Sequence, residues 1–452
     1  MLKTSKPYIV ILFTIAILKV LLILTIILSL YSLSFILSGN NFTILAQQDV
    51  ETIKHRNMVI DLGNGVKTNA QLTIPAVGNG PFPGVLLISG SGAQDMNSSA
   101  IFISIDNVTG AKIYPPTPFF QISQYLSERG FVVLKYDKRG VGENHTIVDS
   151  NVWGNMTINN LVQDANRALS VLMKQPEVDG NRLTVLGHSE GTVVTPRVAI
   201  DNPDKVKNIV LLGTVAQNIS ELLDYQVVKI PMIYAKQILD KNHNGLLSVR
   251  EASEDLTFQG IVGGNLTLVL TQQNLQNDTI SLKPEYDPNK DTYINIETEL
   301  KPALMERAKL FPFQSSLVSE PSDKCISIAG CQMWWNSFIA LDPNLNTISK
   351  VPSNTSILIL NGENDTQTPV QQAFLLQQKL IDVNHPDHTL ITYPDLGHLF
   401  YPSSQWGTEF GQIQQYVLAD IYAWLESHNG FTPLTTFSSS SQSSSNTTKI
   451  IN

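Results

Sequence analysis

Five consecutive residues, Gly187-His-Ser-Glu-Gly191, have the types and spacing needed for covalent catalysis. The apolar run Leu183 to Leu186 precedes them and a helix-forming stretch, Thr192 to Ala199, follows. A serine between two glycines at such a strand-to-helix turn is lifted clear of a sheet, where a base and a substrate can both reach its hydroxyl. That hydroxyl is protonated at neutral pH and is a weak nucleophile unaided. It needs an imidazole as base, and the imidazole needs a carboxylate to fix its tautomer and stabilise its cation. Asp365, in Asn361-Gly-Glu-Asn-Asp365, and His398, in Pro394-Asp-Leu-Gly-His398, each follow an apolar strand-like run and supply these types. Glu363 competes with Asp365, which is the better placed, and His188, His385 and His388 read as packing or turn residues. A tetrahedral intermediate also needs two preorganised N–H donors. One is expected from Glu190, directly after Ser189. The other is expected from Ser89-Gly-Ser-Gly-Ala93, with Ser91 preferred and Gly92 second. The competing reading of each is structural: a chance motif, a turn aspartate, a loop histidine, a Gly/Ser turn.

Ser189, Asp365 and His398 all follow strand-like runs, so the C-terminal rim of one parallel sheet would bring them together. The apolar pattern provides one. Asn57 to Asp61 and Ala70 to Ile74 read as a hairpin around Gly63-Asn-Gly65, and Gly84 to Ile88 as a buried parallel strand. Further strands are expected at Phe131 to Tyr136, Leu183 to Leu186, Val206 to Leu212, Ser356 to Leu360 and His388 to Tyr393. Helices are expected at Phe119 to Arg129, Ile158 to Met173, Val370 to Ile381 and about Phe410 to Ser427. Alternation of this kind predicts an α/β fold, a mostly parallel sheet covered by helices on both faces. The expected order is an apolar N-terminal segment over residues 1–37, a linker over 38–52, a core first part over 53–215, and a largely helical cap insertion over 216–349. A core second part over 350–429 and a disordered Ser-rich tail over 430–452 complete it.

With these residues in view, the chain resembles the α/β-hydrolase superfamily, particularly EstD-type esterases and serine-aminopeptidase-like hydrolases. The residues that carry the resemblance are Ser89-Gly-Ser-Gly-Ala-Gln-Asp95, Asp137-Lys-Arg-Gly-Val-Gly142, Gly187-His-Ser-Glu-Gly191, Gly362-Glu-Asn-Asp365 and Gly397-His398. It spans roughly residues 55–215 and 350–428 and implies carboxylic ester hydrolysis through an acyl-enzyme, with no cofactor required for the chemistry. The family's first loop usually continues with Pro and Asp-Arg-Asp. Here Ala93 stands for the Pro and Met96-Asn97 follow Asp95, which bears on substrate preference more than on the reaction.

The insertion carries a second chemistry. Asp240-Lys-Asn-His-Asn-Gly-Leu-Leu-Ser-Val-Arg-Glu251 fits the EF-hand calcium loop D-x-[DN]-x-[DN]-G-x5-E. Asp240, Asn242, Asn244, the Leu246 carbonyl, Ser248 and Glu251 would be the ligands, with Gly245 at the sharp turn. A degenerate second loop starts at Asp287, with Asn289, Asp291, the Tyr293 carbonyl and Asn295 in ligand positions. Thr298 stands where the bidentate acid belongs, between Glu297 and Glu299. Leu247 and Ile294 hold position eight of each loop, where paired EF-hands join by a short β-bridge. The alternative is an Asn/Asp-rich surface turn. With two carboxylates in the first loop, the expectation is weak, structural Ca2+, in the roughly 0.1–1 mM range.

The net charge of −9 over 452 residues, without a basic stripe, excludes nucleic acid as the expected partner. Lys3 and Lys6 precede an apolar run from Tyr8 to Leu37, broken by Lys19, and no further Lys or Arg follows before Lys54. The positive-inside rule then predicts a transmembrane anchor with the catalytic domain outside the cytoplasm. A signal peptide cut after Ala46, giving a secreted chain, is the rival, with Ile44 a poor fit to such a site. Sequons at Asn97, Asn107, Asn155, Asn218, Asn265 and Asn354 suit an outside location or arise by chance in an Asn-rich chain. Cys325 and Cys331 can form a local disulfide or remain two buried thiols.

The expected function is a membrane-anchored serine esterase acting on a small ester, with calcium in the cap. One alternative is a serine aminopeptidase-like peptidase acting on a peptide. Another, of a different class, is a calcium-binding cell-surface module with an inactive hydrolase domain.

Overall fold

The strand that opens the sheet turns on two residues. β1 (Ile53–Gly63) and β2 (Val66–Pro75) pair antiparallel with Gly63 opposite Val66, leaving Asn64-Gly65 as the loop. Both loop residues have positive φ, 55° and 80°, as a type I′ turn requires. In this computed structural model the described residues are 52–99, 104–105, 112–113, 117–262, 271–274, 279–283, 291, 293–314, 324–327, 329–403, 406 and 411–430.

Six more strands complete the sheet: β3 (Phe82–Ile88), β4 (Val132–Tyr136), β5 (Val178–His188), β6 (Val206–Leu212), β7 (Ser356–Gly362) and β8 (His388–Tyr393). Their order is β1-β2-β4-β3-β5-β6-β7-β8, and every pairing beyond β2–β4 is parallel. Because successive strand residues face opposite sides, neighbours in one apolar run enter different cores. Leu86 and Ile88 pack with Val185, Ile209 and Ile359 on one face, and Val85 and Leu87 with Leu186, Val210 and Leu360 on the other. The first face is covered by α2 (Ile158–Met173), α3 (Gly191–Asp201) and α5 (Val370–Asp382). The second is covered by α1 (Pro118–Ser127) and α6 (Gln415–His428). α2 starts where Thr157 and Asn160 form a reciprocal capping box.

The segment between β6 and β7 departs from this alternation. A helical run from Ile219 to Leu239 contains two π-helical stretches, Tyr225–Lys229 and Ala235–Leu239. Leu246–Ser248 pairs antiparallel with Tyr293–Asn295, and Lys301–Gln314 and α4 (Gln332–Ile339) are helical. Met232, Leu239, Leu247, Phe258, Ile294 and Leu300 form a separate apolar cluster there. Cys325 and Cys331 are joined as a disulfide.

Three expectations are revised. β5 begins at Val178, not Leu183, because a register irregularity opposite Pro83 and Gly84 takes up the polar residues Gly180 to Arg182, which hid the strand's start. The last helix begins at Gln415, not Phe410. The membrane-anchored, extracytoplasmic location is also corrected. Among the described residues no helix is long and apolar enough to cross a membrane, and residues 1–37 lie outside them. Two of the sequons used for that expectation have local structural work. Asn97 Oδ1 accepts from buried Lys135, and Asn218 caps the helix at Ile219. The linker residues 38–51, the tail beyond Gly430, and Asn107 and Asn265 also lie outside the described residues.

Leu86 is fully buried in the centre of the sheet. Leu86→Ala is expected to lower stability by about 3 kcal/mol, read from the urea midpoint. A loss under about 1 kcal/mol would contradict the tight packing assigned to this face.

Candidate active site

β5 ends at His188, and Ser189 takes φ 54°, a left-handed conformation that a serine adopts only under constraint. Both flanking glycines are required by close approach. A Cβ at Gly187 would fall 2.2 Å from the Gly191 carbonyl oxygen, and one at Gly191 would fall 2.2 Å from that of Ile88. The Ser189 N–H donates to Leu212 O at the end of β6 (2.9 Å), and Thr192 N–H donates to Ser189 O (2.9 Å), starting α3.

Asp365 follows β7 and is buried, and both of its oxygens are engaged. Oδ1 accepts from the N–H groups of Gln367 (2.8 Å) and Thr368 (2.7 Å). Oδ2 accepts from Thr368 Oγ1 (2.7 Å) and lies 2.8 Å from His398 Nδ1. A carboxylate only accepts, so Nδ1 of His398 donates in this bond, and Nε2 is the ring nitrogen that Asp365 leaves free of its hold. The His398 ring lies over Gly213, where a Cβ would fall 3.1 Å from both Cε1 and Nδ1. Gly213 directly follows Leu212, the residue that holds the Ser189 amide, so His398 and Ser189 share the tip of β6. His188 packs against His398 with ring centroids 4.6 Å apart, and its Nε2–H donates to His398 O (3.0 Å). Burial first, and the neighbouring His398 second, lower the His188 pKa from 6.5 to about 3.

The structure thus gathers Ser189, Asp365 and His398 at one rim. The first loop joins them there: a Cβ at Gly90 would fall 3.1 Å from Ser189 Cβ. Ser91 and Gly92 follow in a turn, with Gly92 at φ 84° and Gln94 bonded back to both. A buried polar layer supports this loop. Asp95 Oδ1 accepts from the amides of Asn97 and Ser99, and Asp137 Oδ1 accepts from that of Met96 (2.7 Å). Burial pushes Asp137 up to about 6 and Lys135 down to about 8, the latter opposed by the charges of Asp95 and Asp137.

Several residues here were not singled out from sequence. Glu190 is known there only for its amide, yet its carboxylate is buried against Lys138 Nζ (2.8 Å) and accepts from Trp334 Nε1. Lys138 also donates to Gly90 O (2.5 Å). Thr368 braces the Asp365–His398 pair. Lys138 lay in a quoted motif without a role, whereas nothing in the sequence pattern marks Trp334.

In the insertion, Asp240 is buried and accepts from the amides of Asn244 (3.0 Å) and Gly245 (2.8 Å). Asn242 Oδ1 accepts from Asn244, and Asn244 Oδ1 from Leu246. Glu251 turns to Ser248, whose hydroxyl and amide bonds hold its carboxyl below the usual range. Leu247 pairs with Ile294. In the second loop Asp287 and Asn289 lie outside the described residues. Asp291 Oδ1 accepts from Tyr293 N–H, and Asn295 Oδ1 from the amides of Glu297 and Thr298. Ile296–Leu300 is π-helical, which adds a residue to the turn, and Glu299 Oε2 accepts from Asn295 N–H (2.7 Å). Glu251 Oε2 accepts from Ser248 N–H in the same way. Among the described residues no three His, Cys, Asp or Glu side chains are gathered as a metal cluster.

Residues 118–258 match the serine aminopeptidase S33 family model, and residues 339–432 match that of the prolyl oligopeptidase family. Esterase EstD of Thermotoga maritima is 30% identical over 180 residues, which cover 40% of this chain and 37% of EstD. Esterase FrsA of Yersinia enterocolitica is 22% identical over 254 residues, covering 52% of each chain. The chain therefore spans about a third to a half of the curated relatives it matches. A proline iminopeptidase from Mycobacterium smegmatis is similar at 14% identity and a TM-score of 0.45, over 83% of this chain and 99% of that one. The chain has the α/β-hydrolase fold, a mostly parallel sheet with helices on both faces. Its homologues are esterases and peptidases of the serine hydrolase superfamily.

The lowered His188 pKa has a stability consequence of definite sign. Its folded value lies below the unfolded one, so its contribution is complete above pH 6.5 and is lost as pH falls toward about 3. Urea midpoints at pH 7.5 and 4.5 should fall further in the wild type than in His188→Gln, which keeps an N–H for His398 O but cannot titrate. Equal losses would show that His188 is not held neutral.

Proposed function

We propose that this chain is a serine carboxylesterase acting through an acyl-enzyme. Ser189 Oγ attacks the ester carbonyl. His398 Nε2 takes its proton and returns it to the leaving alcohol, while Asp365 holds the imidazole by Nδ1–H. The Glu190 amide and one from the Ser91–Gly92 turn receive the oxyanion. Water then attacks the acyl-enzyme with His398 again as base. The observation that carries this reading is the 2.8 Å Asp365–His398 bond at the strand tip that anchors the Ser189 amide. Expected results are hydrolysis of p-nitrophenyl acetate by the wild type, none above background for Ser189→Ala, and a kcat about 10⁴-fold lower for Asp365→Asn. Retained turnover in Ser189→Ala would refute the assignment.

The serine aminopeptidase S33 match favours a second reading, cleavage of peptides from a free amino terminus. Comparing kcat/KM for p-nitrophenyl acetate with that for aminoacyl p-nitroanilides separates the two. The esterase reading requires the ester to be preferred, and a preference for the anilide replaces it with the peptidase.

The helical insertion between β6 and β7 acts in this proposal as a cap, and its first loop takes a structural Ca2+. The donors would be Asp240, Asn242, Asn244, the Leu246 carbonyl, Ser248 and Glu251. Support comes from the convergence of loop amides on Asp240, from Gly245 at φ 78°, and from the Leu247–Ile294 pairing with the neighbouring loop. Two carboxylates among neutral oxygens suit a weakly held, oxygen-seeking ion. At 10 mM calcium such a site stabilises the fold by about 1.4–2.7 kcal/mol for a Kd of roughly 1–0.1 mM. Calcium in place of EDTA should raise the melting temperature of the wild type and not that of Glu251→Gln. An unchanged wild-type melting temperature would dispose of the ion.

A further inference from the structure

The residue after the nucleophile carries a carboxylate, and that carboxylate is 1% exposed. Burying one is costly unless each oxygen finds a donor. Glu190 Oε1 has Lys138 Nζ at 2.8 Å, and Oε2 has the indole N–H of Trp334. Lys138, itself buried, uses another proton to reach Gly90 O. One ammonium therefore ties together the two segments that supply the oxyanion donors, the elbow at Glu190 and the loop at Gly90. The remaining oxygen of the same carboxylate is satisfied from the insertion.

The tryptophan that satisfies it is held on several sides. It lies in α4, whose N-cap is Cys331 of the disulfide, and its ring packs edge-on with Trp335 (4.5 Å) and Phe338 (5.4 Å). Gly330 lies against the ring, where a Cβ would fall 2.6 Å from Trp334 Cε3. The disulfide loop is fastened to the sheet's helical layer by Trp153 Nε1–H donating to Ser327 O (2.9 Å). α4 is fastened there by Ile158 N–H donating to Ser337 Oγ (3.0 Å). The indole is thus delivered to Glu190 at a set position rather than merely filling space.

We propose that Trp334 is a positioning residue for acyl transfer: its N–H completes, with Lys138, the clamp that holds the Glu190 amide and the Gly90–Gly92 loop as a preorganised pair of oxyanion donors. Without that bond a buried carboxylate oxygen is left unsatisfied one residue from Ser189, and the carboxylate must move or admit water. Either displaces the Glu190 amide from where the oxyanion develops, an effect felt in the transition state more than in substrate binding. Docking of the insertion is by this route a condition for turnover.

The inference rests on the reading of Ser189 as the nucleophile, and the experiment separates the two. Turnover of p-nitrophenyl acetate and melting temperature are measured for the full chain and for Ser189→Ala, Trp334→Phe, Gly330→Ala and Trp335→Phe. Trp334→Phe keeps an aromatic ring and removes only the donor. Gly330→Ala keeps the donor and pushes the ring away. Expected are a kcat about tenfold lower in both with KM within about twofold, and a kcat within about twofold of wild type in Trp335→Phe. Should Trp334→Phe fail to fold, Gly330→Ala decides. A kcat within twofold of wild type in the deciding variant, or a rise in KM with kcat unchanged, overturns the inference and leaves the esterase reading standing. Wild-type turnover that persists in Ser189→Ala overturns that reading and this inference with it.

Discussion

The left-handed backbone of Ser189 is the constraint around which the site is built. A non-glycine residue held at φ 54° costs of order 1–3 kcal/mol and persists only where its surroundings over-determine it. Here the surroundings are the ends of three neighbouring strands. β3 presses its Ile88 carbonyl into the space left by Gly191, β5 runs directly into the turn, and β6 accepts the Ser189 amide. Relaxing the serine would require separating strands whose side chains are sealed in both apolar cores. The strain is thus held by the whole sheet, and it leaves the hydroxyl on the rim where β7 and β8 deliver Asp365 and His398.

Three buried carboxylates around this rim have a donor on each oxygen. The two oxygens of Asp365 share four donors, those of Glu190 are divided between Lys138 and Trp334, and Asp164 is held by Arg139 through two bonds. Burial still raises the Asp164 pKa against the pull of Arg139. Such fully engaged groups lose little on reorganisation during a reaction, which is what electrostatic preorganisation requires.

Much of this was legible in the chain because it is local. The strands read at Val206–Leu212 and His388–Tyr393 match end to end: Ile209 to Leu212 is a continuous apolar run buried on both faces, and His388–Tyr393 is a half-buried edge strand of β-branched and apolar residues. Gly187-His-Ser-Glu-Gly191 announced a turn whose glycines prove sterically obligatory. What stayed hidden was non-local or depended on backbone geometry that residue counting assumes. Trp334 reaches Glu190 across 144 positions in a segment without regular periodicity. The π turn at Ile296–Leu300, which brings Glu299 Oε2 to the Asn295 N–H, also follows from backbone geometry that the residue pattern does not carry. The apolar stretch before Leu37 supported an anchor by composition alone, and the described residues contain no membrane-crossing helix.

The reading comes down to whether one alcohol in this chain is unusually reactive. Intact mass and peptide mapping after exposure to a fluorophosphonate address that most directly. The account predicts a single adduct per chain, on Ser189, with labelling slowed more than about a hundredfold by His398→Ala. No adduct on the folded protein, or one mapped to another residue, would contradict it.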